Sequence, residues 1–197
     1  PEGSDYAPTA GFVSAFGALG EDRIMVLSVD TPFVGKEIFR ALIDADSSDL
    51  DAVIAKLEQT RQEAASDVII DAPPGTSCPA VNAVLPSDLI LLVTEPTPFG
   101  FHDFRLAHEA FAPLGKPMGA VINRAGLGDH SVQDYCRSRQ LPILAEIPFE
   151  RRLAEAYSKG QVLAEALPDM RNTFTALMAG LRGLAAASRQ QEVTAHA

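Results

Sequence analysis

The sequence predicts a three-layer α/β/α domain built on a parallel, doubly wound sheet. From residue 67 onward, short apolar runs of strand length alternate with segments of helical period. The first run is apolar throughout rather than alternating, as is typical of parallel strands that are covered on both faces. Strands of this kind are joined by helical crossovers, which cover the two faces of the sheet.

Four strands are predicted in this part of the chain, each an apolar run with a turn signal behind it. They cover residues 68–71, 88–94, 117–123 and 143–148. The first strand is the most informative, because it delivers Asp71 directly before a Pro-Pro-Gly turn. The carboxyl end of a parallel strand lies where α/β proteins bind their ligands.

Helices are predicted between and after these strands, over residues 78–85, 102–114, 131–139 and 152–159, with a long last helix from about residue 170. Helical spacing gives the second and the last helix an apolar face each: Phe104, Ala107, His108 and Phe111 in the second, and Met170, Phe174, Leu177, Met178, Leu181 and Leu184 in the last. Gly115 and Gly160 are predicted to end two helices, and Ser131 to cap a third.

Composition and charge limit the function. At 197 residues, 47% of them apolar, the chain can bury one substantial core and suits a single α/β domain. Its net charge of −10 and pI near 4.8 argue against binding nucleic acid by bulk charge. Two cysteines are too few for a disulfide framework, so we expect the chain in a reducing cytoplasm. They are also too few to hold an iron–sulfur cluster by themselves. No apolar run approaches the ~20 residues of a membrane span, and the first residue, Pro rather than Met, suggests a truncated or processed start without a signal peptide.

Asp71 is the first candidate functional residue. In nucleotide hydrolases, a carboxylate at this position holds the Mg²⁺ of a bound triphosphate, and a nearby glycine lets the backbone approach the terminal phosphate. The alternative is an ordinary parallel strand that ends in Asp before a turn. These few residues leave both interpretations open.

Four motifs carry a family resemblance: Asp-Val-Ile-Ile-Asp-Ala-Pro-Pro-Gly-Thr-Ser-Cys-Pro at 67–79, Leu-Leu-Val-Thr-Glu-Pro-Thr-Pro-Phe-Gly at 91–100, Val-Ile-Asn-Arg-Ala-Gly-Leu-Gly at 121–128, and Pro-Ile-Leu-Ala-Glu-Ile-Pro-Phe at 142–149. In this order and spacing they resemble the MinD/ParA/Mrp group of deviant-Walker ATPases, above all the MinD-type ATPases with an inserted ferredoxin domain. The resemblance covers about residues 57–184. It implies a P-loop NTPase fold, which is Rossmann-like, with ATP and Mg²⁺ as cofactors.

The resemblance assigns a role to each of several residues. Asp71 would be the Walker B carboxylate, catalytic and near the metal. Pro74 and Gly75 would belong to the switch segment, which senses the γ-phosphate through the Gly75 N–H.

On the base side, Asn123 would offer its amide to the adenine edge, which needs both a donor and an acceptor. Arg124 belongs to the same predicted cofactor-binding set, and Pro148 would help to wall the base pocket. The alternative for Asn123 is a turn former that caps its own loop.

The phosphate loop of these ATPases, Lys-Gly-Gly-x-Gly-Lys-Thr/Ser, has no match in the sequence. Lys36 and Lys56 are the only lysines before Asp71, and neither lies in such a loop. The ferredoxin insert has no match either, so no iron–sulfur cluster is expected in this chain. We therefore predict that the isolated chain neither binds Mg·ATP below millimolar concentration nor hydrolyses it. A loop supplied by a partner chain would restore ATP hydrolysis, with a role in iron–sulfur or metal-centre handling.

The first 56 residues resemble a different family. The segments at 7–16, 23–34 and 51–56, with a helix predicted at 36–44, are similar to the middle of a MobA-type molybdenum cofactor guanylyltransferase. In that resemblance Asp30, in the motif Asp-Thr-Pro-Phe, binds the metal of GTP. The alternative is a carboxylate that ends an ordinary Rossmann strand.

The two resemblances predict a domain organisation. Residues 1–56 would be a partial MobA-like α/β segment, 57–187 the C-terminal part of a MinD/ParA-like nucleotide-binding domain, and 188–197 a polar tail. Such a chain is a fusion, a truncated assembly or a chimera, and its function is that of an ATPase domain, a guanylyltransferase fragment or an inactive scaffold. Its first part could add strands at 24–29 and 52–55 to the same sheet.

Three further features have two interpretations each. Cys78 is interpreted as a small apolar residue at a helix start rather than a reactive thiol. His102, His108 and Glu109 are interpreted as a solvated helix face rather than a metal site. The last helix carries few cations, so it is predicted to pack on the sheet rather than to bind a membrane. The expected partners are a nucleotide and a second copy or another protein, without nucleic acid or membrane.

Overall fold

A computed structural model describes the chain over residues 23–28, 68–72 and 75–195. The strands are β1 (Arg23–Ser28), β2 (Val68–Ala72), β3 (Leu89–Thr94), β4 (Met118–Ala125) and β5 (Ile143–Pro148). They form one parallel sheet in the order β2-β1-β3-β4-β5. The helices are α1 (Cys78–Val84), α2 (Pro98–Phe111), α3 (Ser131–Arg139), α4 (Arg151–Ser158), α5 (Leu163–Ala166) and α6 (Pro168–Ala195), with a 3₁₀ turn at Ala112–Leu114.

Two apolar layers cover the two faces of this sheet. Successive residues of β3 point to opposite faces, and all six of them are buried. Leu89, Leu91 and Val93 pack with α4, α5 and α6. Ile90 and Leu92 pack with α1, α2 and α3. The predicted three-layer α/β/α architecture with a doubly wound parallel sheet is therefore confirmed.

The strand β1 lies inside the sheet. It pairs with β2 on one side, Val26 opposite Asp71, and with β3 on the other, Ser28 opposite Val93. The strand predicted at 24–29 thus joins the same sheet as the later strands. The strand predicted at 52–55 and the helix predicted at 36–44 lie outside the described residues.

The last helix packs on the sheet, as predicted. Met170, Phe174, Leu177 and Leu181 are buried in the layer that also holds Leu91 and Val121. The helix continues to Ala195, through most of the segment predicted as a polar tail. In the described part of the chain, no helix is long and apolar enough to cross a membrane.

Glycines end two of the segments where predicted. Gly115 and Gly160 both have a φ of 68°, a conformation that glycine adopts without steric cost. The predicted cap at Ser131 is wrong, because Ser131 is the first helical residue. Its N–H donates to Oδ1 of Asp129 at 2.9 Å, and hydrogen bonds from Ser131 lower the pKa of the Asp129 carboxyl. The helix α2 begins at Pro98, earlier than predicted, because the side chain of Thr97 accepts from the N–H of Gly100.

Candidate functional site

The carboxyl ends of all five strands lie at one edge of the sheet, because every neighbouring pair is parallel. The register places Leu27 of β1 opposite Ala72 of β2, and Thr94 of β3 opposite Ile122 of β4. Pro148 of β5 pairs with Ala125 of β4. In the order β2-β1-β3-β4-β5, the chain winds in opposite directions from β1. Doubly wound proteins bind their ligands at this point of the edge.

One side of the edge carries the residues predicted for metal and phosphate. Asp71 is the next-to-last residue of β2, and its backbone pairs with that of Val26. Gly75 follows at a φ of 83°, and no described residue lies within 4 Å of the position a Cβ would take. The positive φ is itself a reason for glycine here. Pro74 and Asp30 lie outside the described residues.

The other side carries the residues predicted for the base. The Oδ1 atom of Asn123 accepts the N–H of Arg124 at 3.0 Å, and Arg124 has a φ of 53°. Asn123 therefore makes the local hydrogen bond of the turn-former interpretation. Pro148 is half-buried at the end of β5, beside the end of β4. The structure thus brings Asn123, Arg124 and Pro148 together at the ends of two neighbouring strands.

An ion pair that the sequence reasoning missed joins the ends of β3 and β4. Glu95 is 8% exposed, and its Oε1 lies 3.2 Å from Nε of Arg124. Its Oε2 accepts from Nη1 of the same guanidinium at 3.3 Å. A carboxylate that directly follows a buried strand is the signal that singled out Asp71, and it applies equally to Glu95.

Phe149, also missed, completes this corner. Phe149 follows β5, and the Arg124 guanidinium lies over its ring, 5.9 Å from the ring centroid. Its N–H donates to the carbonyl oxygen of Ala125 at 3.0 Å. The residue is 57% exposed. A large apolar side chain directly behind a strand end was the available signal.

The turn between β3 and α2 leaves no room for side chains at two glycines. A Cβ on Gly100 would lie 2.5 Å from the carbonyl oxygen of Glu95. A Cβ on Gly128, in the segment after β4, would lie 2.0 Å from the carbonyl oxygen of Pro96. The hydroxyl of Thr94 donates to the carbonyl oxygen of Gly100 at 2.9 Å. These contacts fix the backbone on both sides of the Glu95–Arg124 pair.

A second polar cluster lies between α2 and α3. His108 is buried, with Nδ1 2.9 Å from the Tyr135 hydroxyl. The guanidinium of Arg139 lies over the Tyr135 ring and pairs with Glu109 at 3.7 Å. Burial, helped by Arg139, lowers the pKa of His108 below 6.5. The predicted solvated face is therefore wrong for His108, which faces the core, whereas His102 and Glu109 are exposed.

The metal alternative for this helix has no support among the described residues, where no three His, Cys, Asp or Glu side chains come together. The two thiols differ in environment. Cys78 is exposed at the start of α1, whereas Cys136 is buried. Burial raises the pKa of the Cys136 thiol to about 11.

Several solved structures have similar folds, among them MinD cell division proteins. The cell division ATPase MinD of Pyrococcus furiosus is 23% identical with a TM-score of 0.57, over 69% of this chain and 59% of that one. MinD of Aquifex aeolicus, solved in complex with MinC, is 16% identical with a TM-score of 0.60, over 83% and 84% of the two chains. MinD of Pyrococcus horikoshii, solved with Mg-ADP, is 16% identical with a TM-score of 0.58, over 85% and 86%. At these identities the likeness shows the fold.

A curated relative matches part of the chain. It is an uncharacterized protein of Methanocaldococcus jannaschii, 34% identical over 104 residues. The match takes in 53% of this chain but only 35% of the relative's length.

A family model, the MobA-like NTP transferase domain, matches residues 2–155. The match continues past residue 56, where the predicted MobA-like segment ends, so it takes in β1 to β5 and most of α4. The predicted junction between two families stays a prediction. With most of its length matched by one family model, the chain belongs to the MobA-like NTP transferase domain family.

Proposed function

We propose that the chain binds a nucleoside triphosphate with Mg²⁺ at the carboxyl edge of the sheet, over the ends of β1, β2 and β3. The observation that carries this proposal is the position of β1 between β2 and β3. Doubly wound proteins hold their ligands at the edge of the sheet where the strand order reverses. Asp71 belongs to β2, which pairs with β1, and Asp30 follows the end of β1 by two residues.

The available donors fit a magnesium ion that arrives with the nucleotide. Mg²⁺ in such sites is held by one or two carboxylates, together with phosphate oxygens and water. The described residues supply no cluster of three metal ligands, so they form no cage of their own. Asp71 and Asp30 would supply the carboxylates, and the bound ion would neutralise charge on the phosphates.

Family membership favours nucleotidyl transfer as the reaction. In this reaction an acceptor oxygen attacks the α-phosphorus, the bond to the bridging oxygen of the β-phosphate breaks, and pyrophosphate leaves. The proton of the acceptor passes to solvent. The specific form that the sequence resemblance suggests is transfer of GMP from GTP to the molybdenum cofactor, with Asp30 at the metal.

Hydrolysis of ATP is the second candidate, and Gly75 favours it. A glycine at positive φ behind the Asp71 strand lets its N–H approach a γ-phosphate, as a switch segment requires. Loss of that phosphate would then be read by a second copy of the chain or by another protein. MinD of Aquifex aeolicus was solved with a protein partner, MinC. A partner concerned with iron–sulfur or other metal centres is the specific form of this proposal.

Saturation-transfer NMR at millimolar nucleotide tests the binding proposal directly. We expect Mg²⁺-dependent transfer from the protein to the base protons of ATP or GTP, and weaker transfer in Asn123→Ala. Affinity should be no tighter than about 1 mM, because the charge-assisted hydrogen bonds of a phosphate loop are missing. The absence of transfer to any nucleotide would overturn the proposal.

The products separate the two reactions. Pyrophosphate released from GTP only when the acceptor, the molybdenum cofactor, is added, and lost in Asp30→Asn, would establish nucleotidyl transfer. For ATP we expect no phosphate release by the isolated chain, before or after Asp71→Ala. Phosphate release that Asp71→Ala abolishes would establish hydrolysis and contradict the argument from the missing loop. Binding without either product would reduce the function to that of a binding module.

A further inference from the structure

An exposed aromatic ring stands at the carboxyl edge of the sheet, directly behind β5. Phe149 is 57% exposed, a high value for a side chain of its size. Its backbone is nevertheless held, because its N–H donates to the carbonyl oxygen of Ala125 at 3.0 Å. The ring is therefore presented from the joined ends of β4 and β5, rather than from a separate loop.

A cation is fixed against the same ring. The Arg124 guanidinium lies 5.9 Å from the centroid of Phe149, and both oxygens of the buried Glu95 carboxylate bind it. The Arg124 side chain keeps 40% of its surface exposed. Asn123 lies next in the chain, with Oδ1 bonded to the Arg124 N–H. The buried Glu95 carboxylate thus binds the Arg124 guanidinium, which lies over the Phe149 ring, and that ring is exposed to solvent.

This arrangement has the chemistry of a base-stacking surface. Aromatic rings and guanidinium planes are the two protein groups on which nucleobases stack, and stacking accepts any base that presents a π-face. A lone exposed phenylalanine would need no explanation. Phe99 is such a case, at 79% exposure, with no comparable cation contact among the described residues. Phe149 differs because its backbone is hydrogen-bonded to the end of β4, and because the guanidinium beside its ring is bound by a buried acid.

We propose that the Phe149 ring, with Arg124 beside it, is the surface on which the base of the bound nucleotide stacks. The inference rests on the proposed nucleotide site and specifies its base side. Purines should bind better than pyrimidines, because their two fused rings overlap the phenyl ring more extensively. The amide of Asn123 would distinguish one purine from another at the base edge.

The chain contains no tryptophan, so a single introduced indole reports stacking by itself. Phe149→Trp should lose fluorescence in a saturable way as GTP or ATP is added with Mg²⁺, and respond less to CTP or UTP. Phe99→Trp is the matched control. Phe99 follows β3, the strand next to β4, and its ring is also exposed to solvent. After correction for nucleotide absorption with free N-acetyltryptophanamide, this control should show no saturable change.

A truncation gives an independent measure. Phe149→Ala should weaken purine nucleotide binding about tenfold by saturation-transfer NMR, and Phe149→Tyr should keep it. Unchanged affinity in Phe149→Ala, or saturable quenching equal at both tryptophan positions, would overturn the stacking surface while nucleotide binding stands. If the wild-type chain binds no nucleotide at all, the proposed function itself fails, and the stacking surface with it.

Discussion

Glu95 and Arg124 form a two-point ion pair between the ends of neighbouring strands, 3.2 Å from Nε to Oε1 and 3.3 Å from Nη1 to Oε2. The carboxylate is nearly buried, whereas the guanidinium keeps 40% of its surface in solvent. The two partners therefore differ in what each loses if the other is removed. A buried charge without its partner is costly, and an exposed one is not.

The first prediction follows from this asymmetry. Arg124→Met should lower the free energy of unfolding by about 1–3 kcal/mol, because it removes the guanidinium that both oxygens of the largely buried Glu95 carboxylate bind. Glu95→Gln should cost less, since the amide oxygen can still accept from Arg124. The double variant should cost less than the two single changes added together, measured by urea denaturation. Additive losses would contradict the coupling between the two side chains.

The second prediction concerns pH. The pKa of His108 lies below 6.5 in the folded protein because of burial and the nearby Arg139. The unfolded chain therefore binds more protons between the two pKa values, and stability falls as the pH drops below about 6.5. Above that pH the group contributes no pH dependence, since it is neutral in both states.

His108→Phe should remove this part of the pH dependence, whereas His102→Gln, at an exposed position on the same helix, should keep it. Tyr135→Phe removes the hydroxyl that is hydrogen-bonded to Nδ1 of His108, but it keeps the aromatic ring that packs against three neighbouring rings. The measurement is urea denaturation at pH values of about 5.5 to 7.5. An equal slope in wild type and His108→Phe would contradict the prediction.

The third prediction compares one substitution in two helices. Gly100→Ala should destabilise the protein by about 1–3 kcal/mol, because the new Cβ meets the carbonyl oxygen of Glu95 at 2.5 Å. Gly183→Ala should stabilise it by about 0.5–1 kcal/mol, because no described residue lies within 4 Å of the new Cβ and alanine favours the helix. Thermal denaturation of the two variants should therefore shift in opposite directions. Shifts of the same sign would show that the turn after β3 yields to the added methyl group.

The fourth prediction concerns the thiols. A charged disulfide reagent at neutral pH should label Cys78 rapidly and Cys136 only on unfolding, because Cys136 is buried and its pKa is raised to about 11. Cys78→Ser should abolish the rapid phase, and Cys136→Ser should leave it unchanged. Two rapid thiols in the native protein would mean that α3 opens readily around Cys136.

The sheet was predictable because its strands carry a simple signal. Short apolar runs before Asp71, Thr94 and Asn123, each followed by a turn signal, favour buried parallel strands. The glycines at 115 and 160 mark chain reversals by their backbone freedom. The helix start at Pro98 was missed, because the helix is capped by the Thr97 side chain, which accepts from the N–H of Gly100 three residues later. A threonine is recognised as a cap in a sequence only when the residues after it are typical of a helix, and Pro-Phe-Gly-Phe is not.

The candidate site was only partly predictable for a different reason. Asp71, Asn123 and Pro148 follow strand ends and could be found by position alone. The pairing of Glu95 with Arg124 joins residues at the ends of two different strands. The inward position of His108 agrees with its predicted apolar face, whereas its hydrogen bond to Tyr135 joins two helices. Contacts between elements decide these features, and a single sequence read along its length does not contain them.

The position of β1 has a consequence for how the chain folds. β2 and β3 are close in sequence, yet they never touch in the sheet, because β1 lies between them and hydrogen-bonds to both. The central pairings are therefore non-local, and such contacts form late and slowly, since the loop entropy is lost before they stabilise the chain. A chain that began at β2 would leave β2 and the edge of β3 without their shared partner, and pairing these two strands directly would give a different sheet. Removal of residues 1–56 would thus take away the strand that aligns the rest, rather than an appended unit.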